Sequence, residues 1–305
     1  MSCEIYNGGL MFKKSIYFLS ILSIFLLLSS YARADVDAEV AYILNTFSFL
    51  VCGFLVMWMA AGFLFLESGL VTTRSVSTIA AKNIGKFAIV SVVFYFIGYN
   101  LGYGVPEGGF IGSLSIWSDS SSIETGYSDA SDWFFQALFV CATASIVSGA
   151  VAERIKIWPF FLFSAILGGF IYPIQMGWEW GGGWLDALGF SDFAGSTLVH
   201  ACGGAAALAG VMILGPRIGR FSPSGEPVNM APFAPSSIPL VALGTFILWM
   251  GWFGFNGGSQ LALGSFEDAT AMSQIFMNTQ LAACGGVIAG AIISRLVGGK
   301  TDVVM

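Results

Sequence analysis

The stretch from Phe193 to Gly215 reads FAGSTLVHACGGAAALAGVMILG and contains no Asp, Glu, Lys or Arg. At about 1.5 Å per residue it is long enough to cross a bilayer as one helix, which takes about 20 apolar residues. His200, the only histidine of the chain, lies inside it. An ionisable side chain in such a place is costly, and it marks a functional position by default. Eight residues beyond Asp192, its ring falls about 12 Å into a hydrocarbon layer roughly 30 Å thick.

The rest of the 305 residues agrees with a membrane setting: 56% are hydrophobic and 10% charged, against about 25% charged in an ordinary soluble domain. Strand-like alternation is absent, and charge-free runs of this length satisfy their backbone as helices, not as a barrel. Seven segments qualify: Ala41 to Leu66, Phe87 to Val105, Trp133 to Ala152, Ile157 to Trp178, Phe193 to Gly215, Ile238 to Phe255 and Ala269 to Ile293. The expected fold is an all-α polytopic membrane protein. Residues 1–34 read differently. Lys13 and Lys14 precede the apolar run Ile16 to Leu28, and Ala32-Arg33-Ala34 follows, the pattern of a cleavable signal peptide starting at Met11. The competing reading is an eighth, uncleaved helix, for which thirteen apolar residues are short.

Beyond residue 34 the basic residues are Arg74, Lys82, Lys86, Arg154, Lys156, Arg217, Arg220, Arg295 and Lys300. All are expected in alternate connections, so the positive-inside rule puts the mature N-terminus outside and the end of this chain inside. The opposite connections carry acids alone, among them Glu107, Asp132, Glu179, Asp192 and Glu267. An acidic face concentrates cations, although orientation by itself accounts for the pattern equally well. Cys52, Cys141, Cys202 and Cys284 lie singly in spans with no metal-binding spacing, so neither a metal nor a cofactor is expected. No nucleotide loop or basic nucleic-acid patch occurs. A retinal protein needs a lysine in the last helix, and Ala269 to Ile293 has none. GxSxG, which would suggest a hydrolase, is absent, and no enzyme is expected.

Val56-Met57-Trp58-Met59 in the first span resembles Ile247-Leu248-Trp249-Met250 in the sixth. A unit with an odd number of helices repeats in inverted orientation, as in many transporters. The expected first unit covers residues 41–215, and the start of a second covers 238–297. The chain is accordingly expected to be part of a longer five-plus-five protein.

Several blocks then converge. Asp192-Phe193-Ala194-Gly195-Ser196-Thr197-Leu198-Val199-His200 with Gly203-Gly204, Ala152-Glu153-Arg154-Ile155, Trp180-Gly181-Gly182-Gly183 and Gly251-Trp252-Phe253-Gly254-Phe255-Asn256-Gly257-Gly258-Ser259 resemble, in order and spacing, the ammonium transporter family (Amt/Mep/Rh). Gly62 to Gly69 with Lys82-Asn83 resembles its first connection. The resemblance covers Asp35 to the end. It implies an ammonium-transporter-like helical bundle with seven of eleven helices present, and a homotrimer in the cell (inner) membrane. It also implies ammonium or ammonia as substrate with methylammonium as analogue, and a PII-class cytoplasmic regulator.

By motif position the resemblance places Trp180 and Ser259 at an outer ammonium site, Phe139 and Phe255 at a gate, and His200 in the pore below, its partner histidine lying in a span beyond Met305. Asp192 stands at the outer end of the fifth helix. An indole face holds a monovalent cation with about 0.5–2 kcal/mol, and a serine hydroxyl accepts an N–H that a metal ion does not offer. Trp180 reads equally as an interfacial belt tryptophan, and the two phenylalanines as packing residues. Asp192 reads as a cap on backbone N–H groups or as a charge favouring the cation. A second function, ammonium sensing through a cytoplasmic partner or domain, uses the same outer site.

Overall fold

The computed structural model describes residues 36–228 and 231–304; the signal-peptide reading lies outside them. Among the described residues seven helices are long and apolar enough to cross a membrane: α1 Ala38–Leu70, α2 Thr73–Tyr103, α3 Asp129–Ala150, α4 Ile157–Gly177, α5 Ser196–Leu214, α6 Ile238–Gly258 and α7 Phe266–Gly298. No strand forms there beyond one isolated bridge, Phe221 to Pro227, in the α5–α6 connection. Local chemistry sets the ends. The Ser237 hydroxyl accepts from the Leu240 N–H and the Ser265 hydroxyl from the Asp268 N–H, each satisfying a donor that a helix start leaves orphaned. Gly299 closes α7 in the left-handed region with φ 74°.

α1 and α6, the helices carrying the repeated tetrapeptide, pack antiparallel along a seam of small residues. Gly69 faces Ser237 and Val241, Gly62 faces Gly244 and Leu248, and Gly254 faces Cys52. A Cβ added at Gly244 would come 2.7 Å from the Gly62 carbonyl oxygen, so the two backbones touch. Lipid gives no hydrophobic drive for helix association, and close approach through glycine supplies the packing instead. α3 is the most enclosed helix, burying Phe135, Phe139, Val140, Ala144 and Val147.

Side chains tie the connections together at each end. At one end Thr72 and Arg217 donate to Glu153, Arg217 at 2.7 Å, joining the α1–α2, α3–α4 and α5–α6 connections. There Glu153 takes φ 61°, and although burial pushes its carboxyl up, hydrogen bonds from Thr72, Arg217 and Ser75 outweigh that and hold it at about 2. At the other end Asn45 donates to the Gly126 carbonyl and accepts from the Leu263 N–H. The alternation of ends follows from these contacts.

The second span differs from expectation. Lys82 and Lys86, expected in a connection before a span opening at Phe87, lie inside α2 and are 3% and 0% exposed. Lys82 pairs with Glu67 at 3.4 Å and donates to the Ser148 carbonyl at 2.7 Å. Lys86 donates to Asn83 at 2.9 Å and Ser145 at 2.6 Å. Charge inside a bundle is tolerated when each head group meets such partners. The α2 helix therefore starts about four turns before the charge-free run does.

Candidate functional site

A cavity of about 270 Å³ opens at the acidic end of the bundle, lined by Asp132, Gln136 and Phe139 of α3, by Trp180, by Ser259 and by three tyrosines. Asp132, Phe135, Gln136 and Phe139 fall at i, i+3, i+4 and i+7, one face of α3. Trp180 comes from the α4–α5 connection, where its indole N–H donates to the Asp192 carbonyl at 2.7 Å. The Ser259 hydroxyl donates to the Phe255 carbonyl at 2.9 Å. Its proton is thereby committed, and its oxygen is left as an acceptor.

Below the cavity the aromatic rings form a continuous file. Phe139 meets Trp180 edge-on with centroids 5.9 Å apart and stacks on Phe255 at 3.9 Å. Phe255 lies 5.5 Å from His200, and His200 stacks on Trp252 at 5.3 Å with planes 15° apart. Phe139 and Phe255 are each 1% exposed. The His200 Nε2 is buried with no hydrogen-bond partner among the described residues. All six residues expected from sequence thus fall in one continuous region, with Asp192 behind Trp180 rather than inside the cavity.

Asp192 sits where α5 begins and is 6% exposed. Its Oδ1 accepts the N–H groups of Gly195 and Ser196 at 2.8 and 2.9 Å, and its Oδ2 those of Thr197 and Leu198 at 2.7 and 2.8 Å. Both carboxylate oxygens are consumed by the orphan donors of the helix start. Gly195 makes the turn possible with φ 89°. The first stretch of α5, Ser196–Ala201, is a π-helical turn in which the His200 N–H donates to the Gly195 carbonyl at 3.0 Å. Such turns re-aim side chains and recur at functional positions. Glu179 supports the same corner by accepting the Asp192 N–H at 3.0 Å; burial nonetheless pushes its carboxyl up against that pull.

Sequence reasoning passed over Trp252, Asp132 and Gln136 as site residues. Trp252 was legible in principle, because it lies three residues from Phe255 and so shares its helix face. In sequence Asp132 is one more charge of an acidic connection, whereas it lines the cavity on the first turn of α3.

Seven helices long and apolar enough to cross a membrane define a polytopic helical membrane protein. The chain belongs to the Ammonium Transporter Family, which it matches over residues 47–305, and that family consists of transporters rather than enzymes. It is 44% identical over 257 residues to a putative ammonium transporter of Synechocystis, covering 83% of this chain and 57% of that protein. To Ammonium transporter Amt2 of Archaeoglobus fulgidus it is 40% identical over 266 residues, covering 84% and 55%. Among solved structures it superposes on a Sensor Amt Protein with TM-score 0.79 at 31% identity, covering 88% of this chain and 66% of that one. On Mep2 of Candida albicans the TM-score is 0.74 at 28% identity, with 88% and 59% covered. The chain spans a little over half the length of the curated relatives it matches.

Proposed function

We propose that the protein carries ammonium across the cell membrane, binding it at Trp180 and Ser259 and passing it through Phe139 and Phe255 to His200 as ammonia. The observation that carries this reading is the unbroken file of ring contacts from Trp180 to His200. Bringing a full charge into so apolar a passage costs several kcal/mol even after relaxation. Removing a proton from an amine whose pKa lies about 2 units above neutral costs only about 3 kcal/mol. Deprotonation is the cheaper route, and a neutral imidazole with a free acceptor nitrogen takes an N–H or a proton and hands it on. The Ser259 oxygen, able only to accept, favours a cation that donates hydrogen bonds.

The curated relatives are named as transporters, which supports transport over sensing at the same site. The wider assembly belongs to the proposal too: a homotrimer in the cell membrane, mature N-terminus and acidic end outside, with a PII-class regulator at the basic face. Chemical cross-linking of the protein in membranes tests the trimer. The mechanism is tested by His200→Ala in protein made from the complete reading frame, with methylammonium uptake and current measured in proteoliposomes. Uptake should be lost or its charge coupling altered while the protein stays monodisperse. Unchanged uptake together with unchanged current removes His200 from the mechanism.

A further inference from the structure

We infer that Asp132 is the counter-ion of the outer site, so that the cavity holds its cation by a buried carboxylate as well as by an aromatic face. This rests on the reading of Trp180 and Ser259 as an ammonium site and adds its missing charge.

Asp132 is 6% exposed and lines the same cavity as Trp180, Phe139 and Ser259. Its Oδ2 accepts from the Tyr99 hydroxyl at 2.5 Å, a neutral donor that leaves the negative charge uncompensated. The described ion pairs are Lys82 with Glu67 and Arg217 with Glu153, and neither reaches Asp132. The described basic residue next along this side of the bundle, Lys86, bonds to Ser145, thirteen residues further down α3 and so about 20 Å away. The division of charge along the chain therefore puts every described lysine and arginine out of reach. A buried carboxylate without a cation of its own is costly, and a cation entering the cavity relieves that cost.

A second observation also points to a ligand with N–H groups. Gln136, one turn along α3 and 7% exposed, lines the cavity and has a buried Oε1 with no hydrogen-bond partner among the described residues. With the Ser259 oxygen, whose proton is already committed, the cavity presents two acceptors and one carboxylate around an indole face. That set fits a small cation able to donate several hydrogen bonds at once, which ammonium and methylammonium are and potassium is not. Asp132 lies about 10 Å outward of Phe139 along α3, so it draws the cation into the cavity and does not accompany it through the rings.

The test is the half-saturating methylammonium concentration for uptake, with potassium as competitor, in protein from the complete reading frame. Asp132→Asn keeps the size and a hydrogen-bond partner for Tyr99 while removing the charge; Asp132→Ser is a second neutral variant should the first lower the yield of monodisperse protein. Each should raise the half-saturating concentration at least tenfold. Asp132→Glu should recover most of the affinity. A neutral variant within twofold of the parent while Trp180→Ala weakens uptake overturns the role of Asp132 and leaves the outer site standing. No loss in either Trp180→Ala or Asp132→Asn overturns the outer site itself.

Discussion

Replacing Asp192 by Asn separates a charge from a set of hydrogen bonds at the start of α5. The aspartate receives four backbone N–H groups, two on each oxygen. Asparagine is nearly isosteric but has one oxygen, so two of the four donors face an NH₂ group instead of an acceptor. An unsatisfied buried donor costs about 1–3 kcal/mol, and the two together about 2–6 kcal/mol. For a chain of this size that lowers the thermal midpoint by at least about 3 °C. The assay is thermal unfolding of detergent-solubilised protein followed by tryptophan fluorescence, alongside methylammonium uptake. Uptake should fall with stability, because Trp180 is anchored on the Asp192 carbonyl and His200 on the Gly195 carbonyl. An unchanged midpoint in Asp192→Asn refutes the assignment of this residue as the cap of α5.

Other perturbations test the frame around the site. Gly244→Ala puts a Cβ 2.7 Å from the Gly62 carbonyl oxygen; with no flexible side chain to yield, overpacking should cost about 1–3 kcal/mol, read as a lower thermal midpoint. Lys82→Met strands the Glu67 carboxylate, which is 4% exposed, and should destabilise by about 3–5 kcal/mol; adding Glu67→Met should recover much of that, and a double variant as weak as the single one argues against the pairing. Glu153 responds to pH with a fixed sign: its folded carboxyl is held at about 2 against an ordinary 4.5, so its contribution is present above pH 4.5 and lost as pH falls toward 2. Hydrogen exchange in residues 70–75 and 151–156 should quicken over that window in the parent and show no such step in Glu153→Gln.

The spans were legible because hydrocarbon tolerates only long apolar helices, and six of the seven helices lie within a few residues of their charge-free runs. The exception was α2. A rule that assigns lysines to connections has no means of knowing that Glu67, Asn83, Ser145 and Ser148, from three different helices, converge on Lys82 and Lys86. The same limit applies to the site. His200 announced itself by the cost of an imidazole in an apolar run, and the motif blocks pointed to Trp180, Ser259, Phe139 and Phe255. What one dimension did not carry was contact between helices distant in sequence: the stacking of Trp252 on His200, or a carboxylate and a glutamine turned toward one cavity. Spacing along a single helix was the only available signal for those, and any membrane helix offers many such coincidences.

The glycine seam between α1 and α6 also has a consequence in time. Its two halves are separated by about 190 residues, which at a synthesis rate of 5–20 residues per second is roughly 10–40 s. For that interval α1 exists in the membrane before the surface it packs against has been made, with Gly62 and Gly69 turned to lipid or to a temporary companion. The order of manufacture therefore favours a first helix that is stable alone, and α1 carries no charged residue between Glu39 and Glu67.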